Sequence, residues 1–367
     1  MINVFAFRPA YSPQVSPVRQ GLQLTGYESP SHERRIWPRE IKEVRDELTE
    51  AKREGDAKDY YLPLEQEKKY LICFSRDQLE YDEAFERDLH QRIRADSTVS
   101  DAYGDFLPPL IEPTQYRILT CNNRPYRVGH GGFGYVFMGQ DKDNGEIVAI
   151  KAFEKHSSFD IDRILEECGF FHRGQQILTD DYEKVHLRGF MKIRSGTEMA
   201  DCFEPLICVV TLAGMTKNVP ISCSLAQLRV FEACNTGRLS REVWSDILYN
   251  IVKAVQVLNE GGIQHRDYHS GNIVIGYHNG KYKLTIIDFG ASVEQTGESS
   301  ASVNADLYKA MNVLQDTANV VKMKNTRNYA LSILANKPKE GTVEAACDWA
   351  QVLEGLSYAL ENDNPSG

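Results

Sequence analysis

His265-Arg266-Asp267-Tyr268-His269-Ser270-Gly271-Asn272, followed after a short hairpin by Ile286-Ile287-Asp288-Phe289-Gly290, is the stretch on which the reading of this chain turns. The first segment spells HRDxxxxN and the second carries DFG. Between them NIVIGYHNGKYKLTIID (272–288) alternates apolar and polar residues about Asn279-Gly280, a pair suited to a tight β-turn. Phosphoryl transfer asks for a carboxylate beside the attacking hydroxyl, and for an amide and a second carboxylate that can hold Mg²⁺. Asp267 is the candidate to orient the nucleophile and accept its proton, Asn272 to hold one metal, and Asp288 to bridge phosphates through metal.

Working upstream, Gly129-His130-Gly131-Gly132-Phe133-Gly134-Tyr135-Val136 fits GxGxxGxV between two predicted strands. Backbone free of side chains can there close over the phosphates of a nucleotide. The motif alone is weak, because glycine-rich hairpins are common structural elements. It gains weight from Lys151 on the third predicted strand, set among Val148, Ile150 and Phe153, whose ammonium can reach α- and β-phosphate oxygens. A partner carboxylate is expected from the next helix, where Glu166 and Glu167 are adjacent; Glu166 is preferred, and only one of two neighbours can face Lys151.

From about Tyr126 to Gly290 the chain resembles the protein kinase superfamily, with the hinge placed at Val210-Thr211-Leu212-Ala213. The resemblance implies a two-lobed α+β fold with ATP and Mg²⁺ in the cleft. It carries roles onto Gly129, Gly131, Gly134, Lys151, Asp267, Asn272 and Asp288, and places Val136, Leu212 and Glu166 among the nucleotide contacts. Two departures stand out. His269 occupies the position where serine/threonine kinases carry Lys, and the resulting DxHxxN is also similar to aminoglycoside and choline kinases. Only 77 residues follow Gly290, without an APE element. A reduced helical lobe of this kind resembles bacterial effector kinases that act on host proteins, and also small-molecule kinases. Asp306 is read either as a substitute for the family's buried anchor carboxylate or, preferred, as a plain cap of its own helix. Ser299, Ser300 and Ser302 are candidates for self-phosphorylation, against an unmodified polar loop.

The remaining chain divides by texture. Residues 1–37, with Pro9, Pro13, Pro17 and Pro30, read as irregular or partly disordered. A helical extension spans 38–115: one helix over PREIKEVRDELTEAKREG (38–55), a second over QLEYDEAFERDLHQRIRA (78–95) with Leu79, Phe85, Leu89 and Ile93 recurring, then a proline-rich linker near 104–115. The catalytic domain is expected over 116–367. Its strands fall in 125–153, 186–193 and 205–214, its helices in 159–175, from Ser240, around Leu307-Met311-Leu314, and around Trp349-Leu353-Leu356.

Bulk composition narrows the partners. The formal charge of −10 argues against nonspecific nucleic-acid or anionic-membrane binding. No apolar run approaches the length of a bilayer span, so membrane insertion is not expected. Eight scattered cysteines with no CxxC pair read as buried thiols of a reducing cytosol; the resemblance to effector kinases implies a host cytoplasm as the other compartment. The reading is therefore an ATP- and Mg²⁺-dependent kinase acting on protein Ser/Thr hydroxyls. The alternatives are a small-molecule kinase and a pseudokinase binding module.

Overall fold

The computed structural model describes residues 76–364 apart from 122–123, 126, 132, 156–159, 179–180, 214–221, 235–238, 279–280, 296–303 and 338–346. The expected helix at 38–55, the Asn279-Gly280 turn and the serines at 299, 300 and 302 lie outside the described residues.

The first lobe is an antiparallel sheet with helices against one face. Its strands are β1 (Leu79–Glu80), β2 (Tyr116–Ile118), β5 (Arg127–Gly131), β6 (Gly134–Asp141), β7 (Ile147–Glu154), β8 (Leu187–Ile193) and β9 (Phe203–Thr211), and a separate small pair is β3 (Thr120–Cys121) with β4 (Arg124–Pro125). Strand order runs β1-β8-β9-β7-β6-β2, with β5 also paired to β6. Side chains alternate across a strand. In β7 this sends Val148, Ile150 and Ala152 into one apolar cluster with Tyr135, Phe137, Ile207 and Val209. Lys151 therefore shares the opposite face with Ala149 and Phe153. Phe153 packs with Ile164, Leu165 and Cys168 of α3 (Ile161–Ile177).

The same face carries α1 (Glu83–Ala95) and α2 (Ser97–Tyr103), while α4 (Glu198–Cys202) precedes β9. Leu89, Ile93, Val99 and Tyr103 join the cluster against α3. Contact is close enough that a Cβ on Gly169 would lie 2.7 Å from the Ala102 Cβ. Two expectations are corrected here. The helix read over 78–95 begins only at Glu83, because the Asp82 carboxylate accepts from the Ala84 and Phe85 amides at 3.0 and 3.3 Å and stops the helix there. Leu79 and Glu80 instead pair with Ile193 and Lys192, and Lys192 bridges Glu80 and Asp82 at 2.8 and 2.7 Å. The proline-rich stretch near 104–115 is no free linker. Pro109 O accepts from Phe190 N at 2.9 Å, and Ile111 N donates to Phe190 O at 2.5 Å, so this segment lies along β8.

The second lobe is mainly helical: α5 (Leu225–Cys234), α6 (Arg241–Glu260), α7 (Ala305–Val320), α8 (Lys324–Ala335) and α9 (Trp349–Asp363). Short strands β10 (Ser222–Ser224), β12 (Ile273–His278) and β13 (Lys281–Ile286) form a sheet, and β11 (Ile263–Gln264) pairs with β14 (Val293–Glu294). The buried stripe of α6, with Ile247, Ile251, Val255 and Leu258, packs into the core of this lobe. Ser240 caps its start, and Gly262, at φ +79, turns the chain away after its end. Asp363 closes the far side by accepting from the Asn325 and Thr326 amides at the start of α8. Among the described residues no helix is long and apolar enough to cross a membrane. The architecture is the two-lobed α+β kinase-like fold.

Candidate active site

A cleft of about 1180 Å³, its open mouth included, lies between the lobes. Gly129, Gly134, Val136, Lys151, Leu212 and Asp288 line it, joined by Glu167, Ala149, Val274 and Ile287. Its roof is the β5–β6 hairpin, closed by the Gly131–Gly134 pair. Gly134 has φ +152, and a Cβ there would sit 2.0 Å from the Ala152 carbonyl oxygen. No other residue fits that point without displacing β7.

Register brings Lys151 opposite Val136 on β6 and Cys208 on β9. Its ammonium donates to Glu167 Oε1 and lies 3.7 Å from Asp288 Oδ1. Burial opposes the charge of Lys151, but the carboxylates of Glu167 and Asp288 outweigh it and hold the ammonium above the ordinary lysine range. The preference for Glu166 is thus corrected. Glu166 pairs instead with Arg163, one turn earlier on α3, and Arg163 also donates to Gly290 O at 3.0 Å. The helical period explains the choice: buried Ile164 and Cys168 mark the inward stripe, and Glu167 lies on it. That stripe was visible in the sequence and would have selected Glu167.

The hairpin β12–β13 sets the two lower segments side by side, since Ile273 pairs with Ile286 and Ile287 N donates to Asn272 O at 3.0 Å. Asn272 is buried, and its amide donates to Asp267 O at 3.0 Å and Asp267 Oδ2 at 3.2 Å. His269 Nε2 stands 3.5 Å from Asp267 Oδ2, while its Nδ1 accepts from Gly271 N at 3.0 Å. The hydrogen bond from His269, with added help from the charge of Lys309 on α7, holds the Asp267 carboxyl below its usual range against partial burial.

Beneath these loops the contacts are buried. His265 is fully buried; its Nε2 contacts Ile287 O at 3.1 Å, and its Nδ1 accepts from Asp267 N at 3.3 Å. Its ring packs 4.8 Å from that of Phe289. Phe289 in turn presses on α3, where a Cβ at Gly174 would approach it to 2.6 Å. Asp306 is buried and accepts from His265 N at 2.6 Å and Arg266 N at 2.9 Å. It does not cap its own helix, so the preferred capping reading is replaced by the anchoring one: the N-cap position of α7 is Asn304, which makes no side-chain cap bond. Arg266 and Asp288 both adopt positive φ, at +59 and +63. Strain in non-glycine residues on both loops persists only where surrounding contacts over-determine it.

The donor set fits a magnesium-bound nucleotide. Mg²⁺ needs only one or two protein oxygens when phosphates and water complete its shell. Asp288 offers a carboxylate beside Lys151, and Asn272 turns its NH₂ to Asp267, so its carbonyl oxygen is the end suited to a cation.

No protein-family model matches the chain. Mitogen-activated protein kinase 12 of Danio rerio is 26% identical over 189 residues, covering 51% of this chain and 46% of the relative. Mitogen-activated protein kinase 13 of Homo sapiens is 25% identical over 191 residues, covering 52% and 46%. A Caenorhabditis elegans protein named as a serine/threonine-protein kinase is 24% identical over 234 residues, covering 62% and 51%. The chain spans about half the length of these curated relatives. Their likeness, added to the fold, supports a protein-kinase-like superfamily for this chain.

Proposed function

We propose that the chain is an ATP- and Mg²⁺-dependent kinase that transfers the γ-phosphoryl group to Ser or Thr hydroxyls of a protein. One observation carries this reading: a lysine–glutamate pair and a carboxylate beside the lysine line one cleft under a glycine hairpin, and the Asp267–Asn272 couple belongs to the loop whose Gly271 lines the same cleft. Gly129, Gly134, Val136 and Leu212 would enclose the nucleotide. Lys151, held by Glu167, would meet phosphate oxygens. Asn272 and Asp288 would hold Mg²⁺, which when bound neutralises charge on the phosphates. Asp267 would accept the hydroxyl proton at its carboxylate while Asn272 and His269, both in contact with Oδ2, keep that group in place. Its depressed proton affinity keeps it ionised, and so able to receive a proton, at neutral pH.

A second reading has its own observation. His269 beside Asp267 gives the DxHxxN arrangement similar to small-molecule kinases. Incubating the purified chain with Mg²⁺ and labelled ATP, with either a cell lysate or choline and amino sugars as acceptors, separates the two. Labelled protein supports the first reading. A labelled metabolite with no labelled protein overturns it. The finer notion of an effector acting on host proteins, in a host cytoplasm, is tested by whether host lysate supplies the labelled protein.

A further inference from the structure

Two side chains one turn apart on α7 hold consecutive backbone groups of the HRD segment. The Asp306 carboxylate accepts from the amides of His265 and Arg266, and the Lys309 ammonium donates to the carbonyl of Arg266. The held residue, Arg266, is the one at φ +59. A left-handed non-glycine residue relaxes unless its neighbours prevent it. Asp306 fixes the peptide before Arg266, whereas Lys309 fixes the peptide after it, the one that leads directly into Asp267.

The other end of that second peptide is also held. Asp267 N donates to His265 O at 2.8 Å, and Asp267 O accepts from the Asn272 amide at 3.0 Å. The Asp267 backbone is thus fixed on both sides, with Lys309 supplying the contact that comes from outside the loop. Its position 42 residues downstream of Asp267 hid it from motif reading. The half-buried stem of Lys309 and a bond to a strained residue set it apart from a solvated surface lysine.

We propose that Lys309 is a positioning residue for Asp267: by holding the Arg266 carbonyl it locks the Arg266–Asp267 peptide in the orientation that sets the Asp267 carboxylate beside Asn272 and His269. The proposal rests on Asp267 being the proton acceptor. Lys309 itself touches neither nucleotide nor acceptor in this account. It shapes the loop, and its charge reaches the carboxylate through space.

The test uses the full chain with Lys309→Met, which keeps the stem and removes the donor, and Lys309→Arg, which keeps a donor and the charge. Steady-state ATP turnover with Mg²⁺ gives kcat and KM, and amide hydrogen exchange is followed across residues 264–272. A displaced catalytic group costs on the order of 10²-fold in rate. Lys309→Met is therefore expected to lower kcat by about that factor with KM for ATP within about 2-fold of wild type. Exchange at residues 265–267 should rise, and Lys309→Arg should restore most of both. Wild-type kcat in Lys309→Met overturns the proposal, as does a loss that Arg fails to restore with exchange unchanged. If wild type turns over ATP no faster than Asp267→Ala, it is the reading of Asp267 that fails. Exchange then decides for Lys309 independently, and an unaltered rate at 265–267 overturns its positioning role.

Discussion

Lys151 has two adjacent glutamates within sequence reach, and a single χ-angle argument cannot separate them; the helix phase does. Glu167 lies inward and Glu166 pairs with Arg163. Glu167→Gln is therefore expected to raise KM for ATP by about 10-fold or more, since a charge-assisted bond contributes roughly 1.5–3 kcal/mol, and Glu166→Gln is expected to leave it within about 2-fold. Equal effects in the two variants would contradict the assignment. Asp267→Ala is expected to reduce turnover by about 10²–10⁴-fold while nucleotide binding, measured by calorimetry, survives. His265 carries a pH signature of its own. Burial pushes its imidazolium pKa down, against the pull of Asp306, Ile287 O, Asp288 and Asp267. The unfolded chain, titrating near 6.5, then binds the proton first. Stability should be intact above about pH 6.5 and fall below it until the folded ring also protonates, by at most about 1.4 kcal/mol per pH unit. Urea midpoints between pH 5 and 7.5 measure this, and His265→Gln should flatten that limb.

At the scale of elements, α3 is the part on which the lobes depend. It packs on α2 through Gly169, on Phe289 through Gly174, and its Gln175 ties Ile286 O to Val185 N at 3.0 and 3.2 Å. Enlarging Gly169 drives a side chain into Ala102. Gly169→Val is expected to destabilise the protein by about 1–3 kcal/mol, as overpacking generally does. Because Glu167 lies two residues away on the same helix, ATP affinity should fall as well. Thermal unfolding and nucleotide titration read the two effects separately. An unchanged melting temperature would mean that α2 simply moves aside. The helix boundary at Asp82 belongs to this scale too. Leu79 recurs at helical spacing with Leu89 and Ile93, yet a capping carboxylate and a sheet edge needing one more strand draw it into β1.

For the whole molecule, the segment from Leu79 to Ile111 is part of the first lobe's packing. Leu89, Ile93, Val99, Tyr103 and Leu110 share one cluster with Phe153, Leu165, Phe190 and Cys208. Removing residues 1–113 should expose that cluster to water. The expected outcome is a lower melting temperature and new binding of a hydrophobic dye, with ATP turnover lost because α3 carries Glu167. Wild-type stability and activity in the shortened protein would make the segment an independent module.

What the sequence determined by itself was residue type and order. A glycine hairpin, a strand lysine, an HRDxxxxN loop and a DFG loop can be read because the phosphoryl transfer proposed for them tolerates few residue types at each point, and strand and helix periods assign them to elements. The tertiary structure decided which of several chemically equivalent residues does the holding. Glu167 over Glu166 depended on which face of α3 meets the sheet, and Asp306 and Lys309 on how α7 docks under a loop about 40 residues earlier. Such choices are set by packing between distant segments, whose energies are small for each contact and become specific only when the whole core is assembled.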